Sequence, residues 1–222
     1  QPRPLSGWRQ EKVKLIFVID IHSHNRMRKL QNVHHNLPVA ALVKKAIKNK
    51  EVVSSKTGAV VVYTGKYTGR SPKDRFIVDT LEVHDQIDWG KINMSMEEKH
   101  FEKLYKKINK FLSSQKDLYI YDGFVCAKEQ YKVHVRVISE FAYQSIFIQH
   151  LLRRPTSAEL KKHTPALTVL CAPSCFADPK TDGTNSEVFI VLNLSKMVVL
   201  IGGTKYAGEI KKSIFAVMNY LL

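Results

Sequence analysis

A basic segment in the first half of the chain carries residue types suited to binding an anion. Residues 64–74 read Thr-Gly-Lys-Tyr-Thr-Gly-Arg-Ser-Pro-Lys-Asp, with two glycines, three threonine or serine hydroxyls and three cations. Glycines allow backbone N–H groups to approach a ligand closely, and the planar guanidinium of Arg70 matches a carboxylate or phosphate. We therefore predict an anion-binding loop and call residues 64–74 the basic loop.

A basic glycine- and proline-containing turn without a ligand would have the same composition and is the alternative interpretation. The segment is not a Walker A loop. Gly65 and Gly69 are separated by three residues, where that motif has four, and Arg-Ser follows them in place of Lys-Ser/Thr. Apolar β-branched runs at 60–62 and 76–78 predict that the loop joins two strands.

A second glycine-rich segment precedes the last helix expected in the chain. Residues 200–208 read Leu-Ile-Gly-Gly-Thr-Lys-Tyr-Ala-Gly, and apolar positions after them recur at helical spacing. Gly203 and Gly208 are separated by four residues, as in a Walker A loop, but Glu209 stands where that loop has its lysine. The pattern predicts a strand, a turn and a helix without a nucleotide P-loop.

Two cations, Lys211 and Lys212, lie in the first turn of this predicted helix, close to Tyr206. Free backbone N–H groups, the positive end of the helix dipole and two ammonium groups together favour an anion or a metal-bound oxyanion. A basic first turn without a ligand is the alternative, at a small cost because cations are disfavoured at this end of a helix.

The net charge of +15 is unevenly distributed along the 222 residues. The first 50 residues contain 11 Lys or Arg and 2 Asp or Glu, a balance of +9. We predict that residues 1–30 are an atypical basic extension, either disordered or not native, and that residues 31–222 form one domain. The mildly basic body suits an enzyme for small polyanions as well as it suits RNA, so charge alone does not choose between them.

Cysteine usage and apolar runs indicate the cellular setting. Cys126, Cys171 and Cys175 form an odd and sparse set, which argues against a disulfide framework and for a reducing compartment. No second ligand pair at metal-site spacing follows Cys171 and Cys175, so idle thiols are expected. The longest apolar run near the start, residues 15–19, is too short to span a membrane.

The remaining pattern predicts strands and helices that alternate irregularly. Helices are expected from residue 38, over 95–114 and over 140–152, and the second starts with a capping-box pattern at Ser95 and Glu98. Strands are expected at 118–121, 131–137, 167–171, 188–192 and 197–201. Because some consecutive strands lack a helix between them, we predict an α/β fold with a mixed β-sheet flanked by helices.

Taken together, the two glycine-rich segments resemble ATP-dependent phosphoenolpyruvate carboxykinases. The basic loop resembles the substrate loop of that family, and residues 200–222, with Met-Asn-Tyr-Leu-Leu at the end, resemble the strand and helix that close the N-terminal half of its members. The resemblance extends from about Asn32 to Leu222. It implies the N-terminal domain of a phosphoenolpyruvate carboxykinase, ending before the nucleotide-binding P-loop.

The resemblance implies conversion of oxaloacetate and ATP to phosphoenolpyruvate, ADP and carbon dioxide, a lyase reaction of gluconeogenesis, with ATP, Mg²⁺ and Mn²⁺ as cofactors. Arg70 would hold the substrate carboxylate and steady the developing enolate, and Tyr206 would contact the carboxylate of phosphoenolpyruvate. Lys212 would bind the metal cofactor as a neutral amine and contribute to substrate binding and catalysis. Lys211 would be a weaker candidate for contact with the enolate or phosphate.

The same resemblance places the P-loop and most metal and nucleotide ligands in a C-terminal nucleotide-binding domain beyond Leu222. The chain alone is then expected to supply half of an active site and to be inactive. We expect a cytoplasmic monomer with no membrane and no nucleic-acid partner. Two alternatives stay open, a catalytically dead truncated homologue and a basic module that binds RNA or another polyanion. The second would need aromatic residues interleaved with the basic ones, and no such pattern recurs.

Overall fold

The computed structural model describes residues 32–222, so the predicted N-terminal extension lies outside the described residues. The strands of the described part are β1 (Asn32–His35), β2 (Val53–Ser54), β3 (Val60–Val61), β4 (Arg75–Asp79), β5 (Met94–Glu97), β6 (Asp117–Val125), β7 (Val133–Ser139), β8 (Leu167–Ala172), β9 (Phe189–Asn193) and β10 (Val198–Gly202). The helices are α1 (Val39–Lys48), α2 (Glu98–Ser114), α3 (Ala142–Gln149), α4 (Ser157–Lys161) and α5 (Gly208–Leu221).

Eight of these strands form one sheet in the order β1-β6-β7-β8-β10-β9-β4-β5. The β6–β7 and β10–β9 pairs are antiparallel, and the other neighbours are parallel. The predicted mixed sheet is confirmed. Its two antiparallel pairs are the ones joined by short connections, residues 126–132 and 194–197, and a short connection can only reverse the chain.

Helices cover both faces of the sheet. The apolar side of α5, including Ile210, packs on one face, and the apolar side of α2, including Leu104, packs on the other. Side chains of a strand alternate between faces, so Ile77 of β4 packs on the α5 side while Phe76 and Val78 pack on the α2 side. The predicted apolar stripes of these two helices are therefore core.

The predicted capping box at Ser95 and Glu98 is wrong. Ser95 lies in β5, where it pairs with Ile77 of β4. Helix α2 begins only at Glu98, after Glu97, and no side chain caps its first turn. The backbone at Ser95 is extended because β5 extends the edge of the sheet, and hydrogen bonding to β4 there competes with capping.

The other differences concern short elements. Helix α3 ends three residues before the predicted boundary, at Gln149. Strands β1, β2 and β5 and helix α4 were not predicted from the sequence. A signal for α4 was present, because Thr156 and Glu159 have the capping-box spacing and form it: Thr156 Oγ1 accepts from the Glu159 N–H at 3.2 Å, and Glu159 Oε2 accepts from the Thr156 N–H at 2.8 Å.

The cysteines carry free thiols, with Cys171 and Cys175 buried and Cys126 partly exposed. Burial raises the pKa of Cys175 to about 11, so this thiol is protonated at neutral pH. Among residues 32–222, no helix has the length and apolar character needed to cross a membrane.

Candidate functional site

The two glycine-rich segments meet at one cavity of about 640 Å³. Arg70 reaches it from the basic loop, Tyr206 from the turn after β10, and Lys211 and Lys212 from the N-terminal end of α5. The structure thus brings together all four side chains that the sequence singled out, although they come from regions more than 130 residues apart. Their chemical roles stay predictions.

Strand order explains this meeting. Only β9 separates β4 from β10, and β9 is parallel to β4 and antiparallel to β10. Strands β4 and β10 therefore run in opposite directions, so the start of β4 and the end of β10 lie at the same edge of the sheet. The basic loop enters β4 and the Tyr206 turn leaves β10, which places both at that edge.

The segment that precedes β9 forms hydrogen bonds with the basic loop. Tyr67 Oη donates to Glu187 Oε1 at 2.6 Å, and Ser186 Oγ donates to Asp74 Oδ1 at 2.8 Å. The Asn185 side-chain amide donates to the carbonyl of Lys73. The spacing of Asn185, Ser186 and Glu187 in the chain gave no indication that they hold the loop.

Helix α5 also forms a hydrogen bond with the basic loop, through Glu209. The Ser71 N–H, immediately after Arg70, donates to Glu209 Oε1 at 2.6 Å. The Glu209 carboxyl is buried, with 4% of the residue exposed. Burial raises its pKa, while the Ser71 N–H and the charges of Arg70 and Arg75 oppose that rise. From the sequence, Glu209 was noted only as the residue that stands in place of the Walker A lysine, and no supporting role was predicted for it.

Two glycines shape the turn that presents Tyr206. Gly203 has a φ of 76°, in the left-handed region that favours glycine. A Cβ at Gly208 would lie 2.4 Å from Cε1 of the Tyr206 ring, so the missing side chain leaves room for that ring. The carbonyl of Lys205 accepts a hydrogen bond of 2.6 Å from Tyr143 Oη, which ties the turn to α3.

The cavity is positively charged. Arg70, Lys211 and Lys212 are exposed and form no ion pair within residues 32–222. Lys205 and His150 add two further nitrogen-bearing side chains, and the described lining contains no Asp or Glu. Unpaired cations without a carboxylate among them favour an anionic ligand.

Comparison with known proteins identifies the family. The family model described as phosphoenolpyruvate carboxykinase matches residues 31–222. The chain belongs to the phosphoenolpyruvate carboxykinase family. A relative from Moorella thermoacetica, phosphoenolpyruvate carboxykinase (ATP) 2, is 52% identical over 191 residues, and one from Geobacillus kaustophilus, phosphoenolpyruvate carboxykinase (ATP), is 50% identical over 190 residues.

These alignments cover 86% of the chain but only 36% of each of the two relatives. The chain therefore spans about a third of the length of a phosphoenolpyruvate carboxykinase. The family match begins at residue 31. It includes both the basic loop and the Tyr206 turn, so the resemblance inferred from these two segments is confirmed.

The residues that the structure describes contain no cluster of carboxylate, histidine and cysteine metal ligands. No group of three or more His, Cys, Asp or Glu side chains suited to a metal occurs within residues 32–222. Lys212 is the side chain assigned to the metal by resemblance, and its Nζ lies 4.9 Å from the centroid of the Phe215 ring. One amine beside an aromatic ring is not a complete metal site.

Three further polar side chains that line the cavity were not predicted from the sequence. Lys205 and His150 line it, and Tyr143 lines it while holding the turn. Lys205 could have been found, because it directly precedes Tyr206. Tyr143 in α3 and His150 directly after it gave no signal, since the contact of α3 with the turn depends on how the helix packs.

Proposed function

We propose that this chain forms the oxaloacetate- and phosphoenolpyruvate-binding half of an ATP-dependent phosphoenolpyruvate carboxykinase. The full reaction converts oxaloacetate and ATP to phosphoenolpyruvate, ADP and carbon dioxide. The observation that carries the proposal is the cavity where Arg70, Tyr206, Lys211 and Lys212 meet, with no carboxylate in its described lining. A small substrate with two negative groups would gain charge-assisted hydrogen bonds there.

The proposed roles follow from the charge that develops in the reaction. Loss of carbon dioxide leaves the electron pair of the broken carbon–carbon bond in an enolate, whose oxygen then attacks the γ-phosphorus of ATP as ADP leaves. Arg70 holds the substrate carboxylate and stabilises the enolate, since fixed cations lower the energy of developing negative charge. Tyr206 contacts the phosphoenolpyruvate carboxylate, and Lys211 is a secondary contact to enolate or phosphate.

The proposed cofactors are ATP, Mg²⁺ and Mn²⁺. A divalent ion, when bound, would neutralise charge on the transferred phosphoryl group. Lys212 is the residue of this chain proposed to face that ion, and the remaining ligands are proposed to come from a C-terminal nucleotide-binding domain. We place the activity in gluconeogenesis in the cytoplasm and expect a monomer.

Binding of phosphoenolpyruvate to the 222-residue chain, followed by NMR titration, tests the proposal. We expect saturable binding that falls about tenfold or more in Arg70→Ala, because a charge-assisted contact is lost. Lys44→Ala is the control, since Lys44 is an exposed cation on α1 away from the cavity. Undiminished binding by Arg70→Ala would contradict the proposed site.

Turnover distinguishes half of an active site from a complete one. We expect no phosphoenolpyruvate production by the chain supplied with oxaloacetate, ATP and Mn²⁺. Steady production that Arg70→Ala abolishes would show that the chain needs no second domain. A salt-titrated RNA shift that survives deletion of residues 1–30 would instead favour the basic binding module.

A further inference from the structure

A buried carboxylate stands between the two segments that form the cavity. Glu209 lies in the first turn of α5, two residues before Lys211, and only 4% of it is exposed. Its Oε1 accepts the Ser71 N–H at 2.6 Å, a contact between residues 138 positions apart. Because Ser71 directly follows Arg70, this hydrogen bond fixes the peptide that carries the predicted substrate-binding guanidinium.

Glu209 is also the counter-charge for the arginines at this place. Arg70 and Arg75 both interact electrostatically with its carboxylate, one from the basic loop and one from the start of β4. Neither arginine forms an ion pair at salt-bridge distance within residues 32–222. A carboxylate in the first turn of a helix is favoured by the helix dipole, so the dipole and the two arginines both oppose the rise in the pKa of Glu209 that burial causes.

A second cavity of about 540 Å³ shows how Glu209 divides the space. Arg70 and Lys212 line both cavities, whereas Glu209 and Arg75 line only the second. Glu209 therefore lies outside the described lining of the first cavity. From that place its carboxyl can hold the Ser71 N–H without occupying the space where an anionic substrate would bind.

We propose that Glu209 is a positioning residue that sets the place of Arg70 relative to Tyr206 and Lys212 by holding the Ser71 N–H. Helix α5 then carries the two lysines and also fixes the arginine opposite them. The inference rests on the proposed function for the identity of the ligand. The hydrogen bond itself can be tested without any ligand.

Hydrogen exchange at the Ser71 amide tests the bond. In the unmodified chain we expect slow exchange of this amide, because its proton is donated to a buried acceptor. Glu209→Gln keeps an oxygen that can accept and should keep most of the protection, whereas Glu209→Ala should lose it. Fast exchange of the Ser71 amide in the unmodified chain would overturn the proposal.

Phosphoenolpyruvate affinity tests the positioning role. We expect Glu209→Ala to weaken binding about tenfold, the usual effect of losing a hydrogen bond to a charged group, and Glu209→Gln to stay within about threefold. Asp182→Ala is the matched control, because Asp182 is likewise buried, accepts the Asp178 N–H at 2.8 Å and lines neither cavity. A general loss of stability would affect both alanine variants alike.

Further variants keep the outcomes separate. If Glu209→Ala does not fold, Glu209→Asp replaces it: the shorter side chain keeps the charge but withdraws the oxygen, so we expect it to bind more weakly than Glu209→Gln. Equal affinity in the unmodified chain and Glu209→Ala, with Arg70→Ala impaired, would overturn the positioning role and leave the proposed function intact. Full binding by Arg70→Ala would instead overturn the proposed function.

Discussion

Tyr67 and Glu187 join the basic loop to the segment that enters β9, through a hydrogen bond of 2.6 Å from Tyr67 Oη to Glu187 Oε1. The same carboxylate oxygen lies 3.3 Å from Lys66 Nζ. The tyrosine hydroxyl is the first cause that holds the pKa of Glu187 below its usual value. One carboxylate thus holds two consecutive residues of the loop.

Replacing Tyr67 by Phe should loosen the basic loop. We expect a loss of about 1 kcal/mol in the free energy of unfolding, measured in urea, because one hydrogen bond is removed. Phosphoenolpyruvate affinity should fall several-fold, since Arg70 lies in the same loop. Tyr63→Phe is the control, because Tyr63 is 84% exposed. Equal affinity in the two variants would contradict the role of the Tyr67 contact.

Replacing Gly208 by Ala should act on Tyr206. The new methyl would lie 2.4 Å from Cε1 of the Tyr206 ring, so the ring must move. Because a side chain can rotate away, we expect a stability change of at most about 1 kcal/mol, together with a several-fold loss of phosphoenolpyruvate affinity. Gly90→Ala, where nothing lies within 4 Å, is the control. Unchanged affinity in Gly208→Ala would show that the ring position does not matter.

Replacing Gly203 by Ala should destabilise the whole chain. Its φ is 76°, and a Cβ would lie 2.6 Å from the carbonyl oxygen of Glu187, a backbone atom that cannot rotate away. We expect a cost of about 3 kcal/mol in urea unfolding, from strain and overpacking together. Gly58→Ala separates the two effects, because Gly58 has a φ of 84° with nothing within 4 Å and should cost only about 1–2 kcal/mol. Equal costs would show that crowding contributes nothing.

The stability of the chain should depend on Asp122 in acid. Arg136 donates two hydrogen bonds of 2.7 Å to this buried carboxylate, and His35 Nε2 lies 2.9 Å from it. Burial alone would raise the pKa of Asp122, but Arg136 and His35 hold it well below its usual value. A lowered folded-state pKa means that the stabilisation is present above about pH 4 and is lost as the pH falls further.

Asp122→Asn measures this contribution. We expect a loss of about 3 kcal/mol at neutral pH, because the variant removes the buried carboxylate charge that pairs with the half-buried guanidinium of Arg136. The free energy of unfolding of the variant should also change less than that of the unmodified chain between about pH 5 and pH 2. Asp85→Asn, at an exposed position, is the control. Parallel pH profiles for the unmodified chain and Asp122→Asn would contradict this account.

The cavity was partly predictable from local pattern. Two local patterns indicated it, and each lies within about ten residues of sequence. One is the pair of glycines near Arg70, and the other is the pair of lysines that follows Tyr206 at the start of an apolar helix. Support for the cavity was not predictable in the same way. Glu209 and Glu187 act on residues more than 100 positions away, and nothing near them in the chain indicates which backbone N–H or hydroxyl they contact.

Secondary structure shows the same division. The α2 helix was predictable because its apolar residues repeat at helical spacing. This spacing can be recognised from residues only about four positions apart. Its start was not, because Ser95 can cap a helix or extend a strand, and pairing with Ile77 of β4 decides the matter. When a segment has nearly equal local preference for helix and strand, the contacts it makes in the folded protein decide which of the two it forms.

The amino-acid sequence was enough to predict the basic loop and the Tyr206 turn, the main helices and strands, and the family that these segments resemble. That the two segments share one cavity depends on the packing of the sheet, because β4 and β10 run in opposite directions on either side of β9. The difference lies in the range over which the interactions act. Propensity and spacing act over a few residues, whereas the contact of Glu209 with Ser71 exists only once the sheet and α5 have packed.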